Sequence, residues 1–282
     1  MENLVWFGFE VPKRGCHRND GNFKSTTLVD RRGRGSPGQE ISVTSGRGAG
    51  LTLLAIETAG SACSAAVGRG SVVLVAERQA MRYGHAEALM PMVDRVVAAS
   101  GLSRAALDGI AVAVGPGGFT GMRVGLGAAQ GIALALKARL IGVTSFAAVA
   151  AALPAGTGAA LVALDSRRED LYIQLFDRAS GVPLGEPAAI MPAALAEHVG
   201  ALAGNSRLLI AGDIAEIAAA ALAGRFDTEI AAESAPDARG VLAAGLRQIE
   251  RKPADGPVRP LYLRPPDVTM PKQQTPLATA RR

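Results

Sequence analysis

The sequence predicts an α/β protein of two lobes, and three observations predict it. From Leu51 onward, short apolar runs that read as buried strands alternate with segments of helical period. The first series runs β-β-β-α-β-α-β, whereas a doubly wound nucleotide fold would start βαβ. A second series of strands and helices then follows. Two such series suggest two lobes on a shared ribonuclease-H-like plan.

The elements follow in order. LTLLAIET (51–58), CSAAVGRG (63–70) and SVVLVAERQA (71–80) are strand runs separated by glycine-containing turns, which predicts an antiparallel meander. HAEALMPMVDRVVAAS (85–100) places Leu89, Met92, Val93, Val96 and Val97 on one helical stripe, with Pro91 near its first turn or kinking it. GIAVAV (109–114) is a buried strand, FTGMRVGLGAAQGIALALKA (119–138) a helix and RLIGV (139–143) a strand. In the second series, ALVALDSRR, LYIQLFD and RLLIAG are strand runs. Helices are expected near Pro192–Ala203, Asp213–Ala223 and Ala238–Glu250.

Residues 1–50 differ. They are rich in Gly, Arg, Ser and Asn and lack a sustained period, so they are expected to be a disordered leader or an over-extended start. They carry +3 of the formal net charge of +5, which leaves the body near neutral. Aromatic residues are 4%, so neither charge nor stacking platforms argue for direct nucleic-acid binding. Cys16 and Cys63 have no zinc-site or disulfide-framework spacing, and a reduced cytoplasmic setting is expected. No apolar run approaches the ~20 residues of a membrane span, and no signal-peptide pattern opens the chain.

VGPGGFTGMRVGLGAAQG (114–131) holds seven glycines in eighteen residues. Glycine inside a helix costs stability, so the stretch must meet an anion, pack closely, or both. The Gly-Lys-Ser/Thr triplet of a phosphate loop is missing, and Gly-x-Gly-x-x-Gly fails at Thr120. A glycine-rich strand-to-helix turn can still point N–H groups at an anion, which makes Gly115, Gly117, Gly118 and Thr120 candidate anion or nucleotide contacts, with Thr120 a candidate cap. Within the helix, Gly121, Gly125, Ala129 and Ala133 recur every four residues, and Gly127, Gly131 and Ala135 form a second row. Small residues at that spacing let another backbone approach closely, either a partner helix or the protein's own sheet.

LLAIETAGSACSAAV, HAEALMPMV and above all GPGGFTGMRVGLGAAQGIAL followed by IGVTS closely resemble the TsaB family of bacterial tRNA threonylcarbamoyladenosine biosynthesis. PLYLRPP, with Tyr262, Leu263 and Arg264, resembles the family's C-terminal motif. The resemblance is strong over 51–150, weaker over 159–264, and does not cover 1–50.

The resemblance implies the actin-like, sugar-kinase and Hsp70 ATPase fold. Its lobes are expected at 51–152 and 153–264, with a flexible tail at 265–282. It implies a non-catalytic scaffold that binds TsaD, the relative that transfers threonylcarbamoyl to adenosine next to the anticodon. TsaE joins that pair, TsaC makes the activated precursor, and tRNA is met only through the complex. The partner surface is expected on the helices 85–100 and 120–138, at His85, Leu89, Met92, Val93, Val96, Gly121, Met122, Gly125 and Ala129. A homodimer through the same face would compete with TsaD.

No cofactor, metal or catalytic residue is expected. The catalytic relative holds a metal through His-x-x-x-His, and Ser145 and Val149 stand at those places here. His17, His85 and His198 have no partner at i, i+4. His85 opens a helix, whose N-terminus disfavours a protonated imidazole, so a neutral capping or packing role is expected over a catalytic base. Glu57, Thr58, Ser61 and Ser64 lie where the fold's ATPases cradle phosphate. Glu57 could hold a metal through water, or the segment could be a turn bonded to itself. Asp165–Tyr172 is a charged turn. The alternative to a scaffold is a hydrolase or weak ATPase of the same fold, and turnover by the isolated protein separates the two.

Overall fold

The computed structural model describes residues 50–204, 207–232, 235–251 and 256–264. The leader expected at 1–49 and the tail at 265–282 lie outside the described residues.

The first unit contains β1 (Thr52–Glu57), β2 (Ala62–Arg69), β3 (Val72–Ala80), α1 (His85–Ala99), β4 (Gly109–Ala113), α2 (Phe119–Leu136), β5 (Arg139–Val143) and α3 (Ser145–Ala152). The second contains β6 (Ala159–Asp165), β7 (Leu171–Asp177), β8 (Ala188–Ile190), α4 (Pro192–Ala203), β9 (Leu208–Ala211), α5 (Ala215–Leu222), β10 (Thr228–Ile230) and α6 (Ala238–Arg251).

The sheets repeat one plan. The first has the order β3-β2-β1-β4-β5 and the second β8-β7-β6-β9-β10. In each, the first three strands are antiparallel and the last two join in parallel. This doubled β-β-β-α-β-α-β plan is the actin-like, ribonuclease-H-like fold.

Period-two alternation explains the layers. Leu54 and Ile56 of β1 face a layer with Leu89, Met92, Val96, Leu126 and Ala129 of α1 and α2. Leu53 and Ala55 face the other way, onto Val241, Leu242, Ala244 and Leu246 of α6. In the second sheet, Leu161 and Ile173 meet Leu195 and Val199 of α4 and Ala218 of α5. The opposite face, with Val162 and Leu164, meets Phe146 and Val149 of α3.

A cut into 51–152 and 153–264 therefore needs correction at both terminal helices. α6 follows the second sheet in the chain but packs on the first, and α3 follows the first sheet but packs on the second. The two helices cross between the sheets. The crossing is so close that a Cβ on Gly240 would lie 2.2 Å from the Ala148 carbonyl oxygen. Their small and branched residues fill this middle layer: nine of the fourteen residues of α6 are buried, while Arg239, Arg247, Gln248, Glu250 and Arg251 keep partial or full exposure.

α2 is long and apolar enough to cross a membrane by length and composition, against the expectation of no such run. Here it is a layer of the first unit, seated on β1.

Candidate functional site

The glycine-rich stretch seats the start of α2 on the turn that follows β1. Gly115 has φ +98°, a conformation that L side chains rarely adopt. A Cβ on Gly117 would lie 2.3 Å from the Ala59 carbonyl oxygen, and one on Gly121 would lie 2.1 Å from the Thr58 carbonyl oxygen. One on Gly125 would lie 2.2 Å from Thr58 Oγ1. Hydrogen bonds complete the seat. The Thr58 hydroxyl donates to the Gly121 carbonyl (2.7 Å), and the Gly118 N–H donates to the Ala59 carbonyl (2.7 Å).

The expected partner row needs correction. Gly121, Gly125 and Ala129 face the protein's own β1, and Leu89, Met92, Val93, Val96 and Met122 are buried in the layers on either side of that sheet. Among the nine expected interface residues only His85 keeps partial exposure. Its Nε2 is buried without a hydrogen-bond partner among the described residues. Burial holds its pKa below the ordinary value, opposed by a bond to the Ala62 backbone and reinforced by the charge of Arg167.

The second small row is the outward one. Gly127 lies two residues beyond Gly125, about 200° around the helix. A Cβ on Gly127 or Gly131 would meet nothing within 4 Å. Arg123, Gln130 and Ala135 are exposed beside them, and Leu134 is 82% exposed. α1 packs beside α2 and exposes Met90, Glu87 and Asp94. Gly127→Ala should therefore raise stability by roughly 0.5–1 kcal/mol, the helical cost of glycine relative to alanine. Chemical denaturation measures this, and a loss of stability would mean the outer row is packed.

Of the expected anion contacts, one N–H is spent within the chain. The Gly118 N–H is bonded to Ala59, and the Gly115 carbonyl accepts from the Ser145 N–H (2.7 Å). Gly118, not Thr120, is the N-cap of α2, and Thr120 lies exposed inside the first turn. Between the sheets is a cleft of about 50 Å³ lined by Gly60, Gly117, Gly118, Asp165, Arg167 and Asp213. That space suits a water or two, whereas ligand pockets measure ~300–1,000 Å³. Burial raises the Asp213 carboxyl above its ordinary range; the Asp165 N–H, which it accepts at 3.0 Å, opposes the shift.

Glu57 ends β1 and is fully buried. Its Oε1 accepts from the N–H groups of Ala59 (2.7 Å) and Gly60 (2.9 Å), so the segment bonds to itself as a turn. Oε2 has no hydrogen-bond partner among the described residues. Burial pushes this carboxyl up to about 8, against the pull of the two backbone bonds; the charge of Asp237 adds to the rise. Ser145 and Val149 are buried in α3, and Thr144 caps that helix by accepting from the Ala147 N–H. His17 lies outside the described residues, and among these no group of three or more His, Cys, Asp or Glu side chains is placed to hold a metal.

One cluster escaped the sequence reading. The Arg123 guanidinium lies 3.9 Å over the Phe119 ring, and its Nε donates to the Tyr262 hydroxyl (3.1 Å). The rings of Phe119 and Tyr262 are 5.9 Å apart, and both are about half exposed. The available signal was PLYLRPP, which resembles the family's C-terminal motif.

Residues 76–229 match the family described as TsaD: tRNA N6-adenosine threonylcarbamoyltransferase. The chain is 33% identical over 160 residues to the tRNA threonylcarbamoyladenosine biosynthesis protein TsaB of Escherichia coli, spanning 55% of this chain and 69% of that protein. It is 38% identical over 125 residues to TsaB of Haemophilus influenzae, spanning 43% and 52%. A solved Pseudomonas aeruginosa protein, described as uncharacterized with similarity to peptidase YEAZ, superposes at a TM-score of 0.65 and 28% identity, covering 76% of this chain and 100% of that one. With its glycine-rich α2 seat, its doubled sheet plan and these relatives, the chain belongs to the TsaB family.

Proposed function

We propose that this chain serves tRNA threonylcarbamoyladenosine biosynthesis as a non-catalytic scaffold. It binds TsaD directly and organises it for threonylcarbamoyl transfer to adenosine next to the anticodon. TsaE meets it through that pair, TsaC acts in the same pathway, and tRNA is met through the complex in the cytoplasm. The observation that carries the reading is the outer face of α2. Gly127 and Gly131 leave open ground beside Leu134 and Arg123, which suits close approach of a second helix with a few larger anchors. The same face would serve a homodimer, so self-association and TsaD binding should compete. Val149 offers no lone pair to a metal, which supports a role outside the chemical step.

The test is reconstitution of tRNA modification from TsaC, TsaD and TsaE with and without this chain. The modified nucleoside should form only with the chain present, and the chain alone should show neither peptidase nor ATPase turnover. Leu134→Asp should reduce TsaD affinity at least tenfold while the chain stays folded, because exposed Leu134 packs little in its own fold and Asp costs only the modest helix-propensity and helix-terminus terms. Turnover by the isolated chain would instead favour the hydrolase or ATPase reading.

A further inference from the structure

Residues 256–264 form no regular element, yet they touch four parts of the molecule. Val258 packs over Gly142 and Val114 at the ends of β5 and β4. The Leu261 N–H donates to the Val114 carbonyl (2.7 Å). Leu263 enters the layer of Phe146, Val149, Val162 and Leu164 between α3 and the second sheet. Tyr262 points outward to Phe119 and Arg123 on the first turn of α2.

The segment's last described residue reaches the β6–β7 turn. Arg264 Nη2 lies 2.6 Å from Asp170 Oδ2, as an ion pair rather than an aligned hydrogen bond. The Asp170 side chain is only 2% exposed, and Ser166 Oγ donates to its carbonyl and its Oδ1. A buried carboxylate left unpaired is costly, so Asp170 holds Arg264 in place. Against this, Leu261 makes the segment's single backbone–backbone bond among the described residues outside regular elements. A stretch with so few backbone bonds can open locally without unfolding the sheets.

We propose that residues 256–264 are a clasp: pairing Arg264 with Asp170 seats Leu261 on Val114 and Tyr262 on Arg123 and Phe119, so that the β6–β7 turn of the second unit sets the first turn of α2. Arg264 is a positioning residue. Its loss opens the clasp along its length and loosens the start of α2.

Amide hydrogen exchange on the full chain tests this. In Arg264→Ala, the amides of Leu261 and Met122 should exchange at least tenfold faster, while those of β9 keep the wild-type rate. Met122 is the readout for α2 because its N–H closes the first turn on the Gly118 carbonyl (2.9 Å). Arg264→Lys, which keeps the charge, should recover part of the protection at both amides. If Arg264→Ala fails to fold, Asp170→Asn removes the charge at nearly constant volume and is read at the same amides. Unchanged exchange at Leu261 and Met122, or an equal acceleration in β9, would overturn the proposal: the first means no coupling, the second only a general loss of stability.

Discussion

Gly121→Ala will lower the stability of the folded chain by roughly 1–3 kcal/mol, the usual cost of overpacking. Gly125→Ala will do so by less. In a solvent-facing helix either change would add about 0.8–1 kcal/mol of helix propensity. Here the added methyl of Gly121→Ala falls 2.1 Å from the Thr58 carbonyl oxygen, a backbone atom that cannot turn aside. That of Gly125→Ala falls 2.2 Å from Thr58 Oγ1, a side-chain atom that can rotate by giving up its hydrogen bond to Gly121. Both clashes share Thr58, so the double variant should cost less than the sum. Urea denaturation measures all three, with Gly127→Ala as the control of opposite sign. A Gly121→Ala variant as stable as the wild type would mean that α2 does not sit on β1 as described.

Stability should also fall as pH rises from about 4.5 to about 8, through Glu57. In the unfolded chain this carboxyl titrates near its ordinary 4.5; in the fold, burial raises it to about 8. Between those values the folded state binds a proton that the unfolded state has released, so raising the pH favours unfolding. Below the window both states are protonated and nothing is lost; above it both are ionised and the loss is complete. Each tenfold difference in proton affinity is worth ~1.4 kcal/mol, so the total is large beside typical net stabilities of ~5–15 kcal/mol. Glu57→Gln keeps an oxygen for the Ala59 and Gly60 N–H groups and cannot ionise. The variant should be the more stable protein at pH 8.5, with the difference shrinking toward pH 4.5. Parallel stability curves across that range would contradict the assignment.

Much of the fold was legible because period and chain order carry it. Leu53 to Ile56 alternate between two buried faces, and the β-β-β-α-β-α-β order excludes a doubly wound sheet. The layer that α6 joins was not legible. A broad apolar face announces burial, but the pattern is the same whichever sheet it packs on. The small rows of α2 were visible as rows, and their 200° separation showed that they face apart. Which row faces home is decided by Thr58, whose carbonyl and hydroxyl sit under Gly121 and Gly125, and nothing in the local spacing names that contact. Glu57 reads as a polar strand end, and only the tertiary structure reveals that the turn closes over it. The Phe119–Arg123–Tyr262 cluster joins residues some 140 positions apart, beyond the reach of any local pattern.

The central claim is that the outer face of α2 holds TsaD. Calorimetric titration of TsaD with the wild-type chain and with Gly131→Arg tests it most directly. Nothing lies within 4 Å of a Cβ at Gly131, so the arginine should not lower the melting temperature, and the loss of a helical glycine should raise it slightly. It should also hold a partner helix away from the small row. The wild type should bind, and Gly131→Arg should bind at least tenfold more weakly. Equal affinity for the two proteins, or no association of the wild type with TsaD, would contradict it.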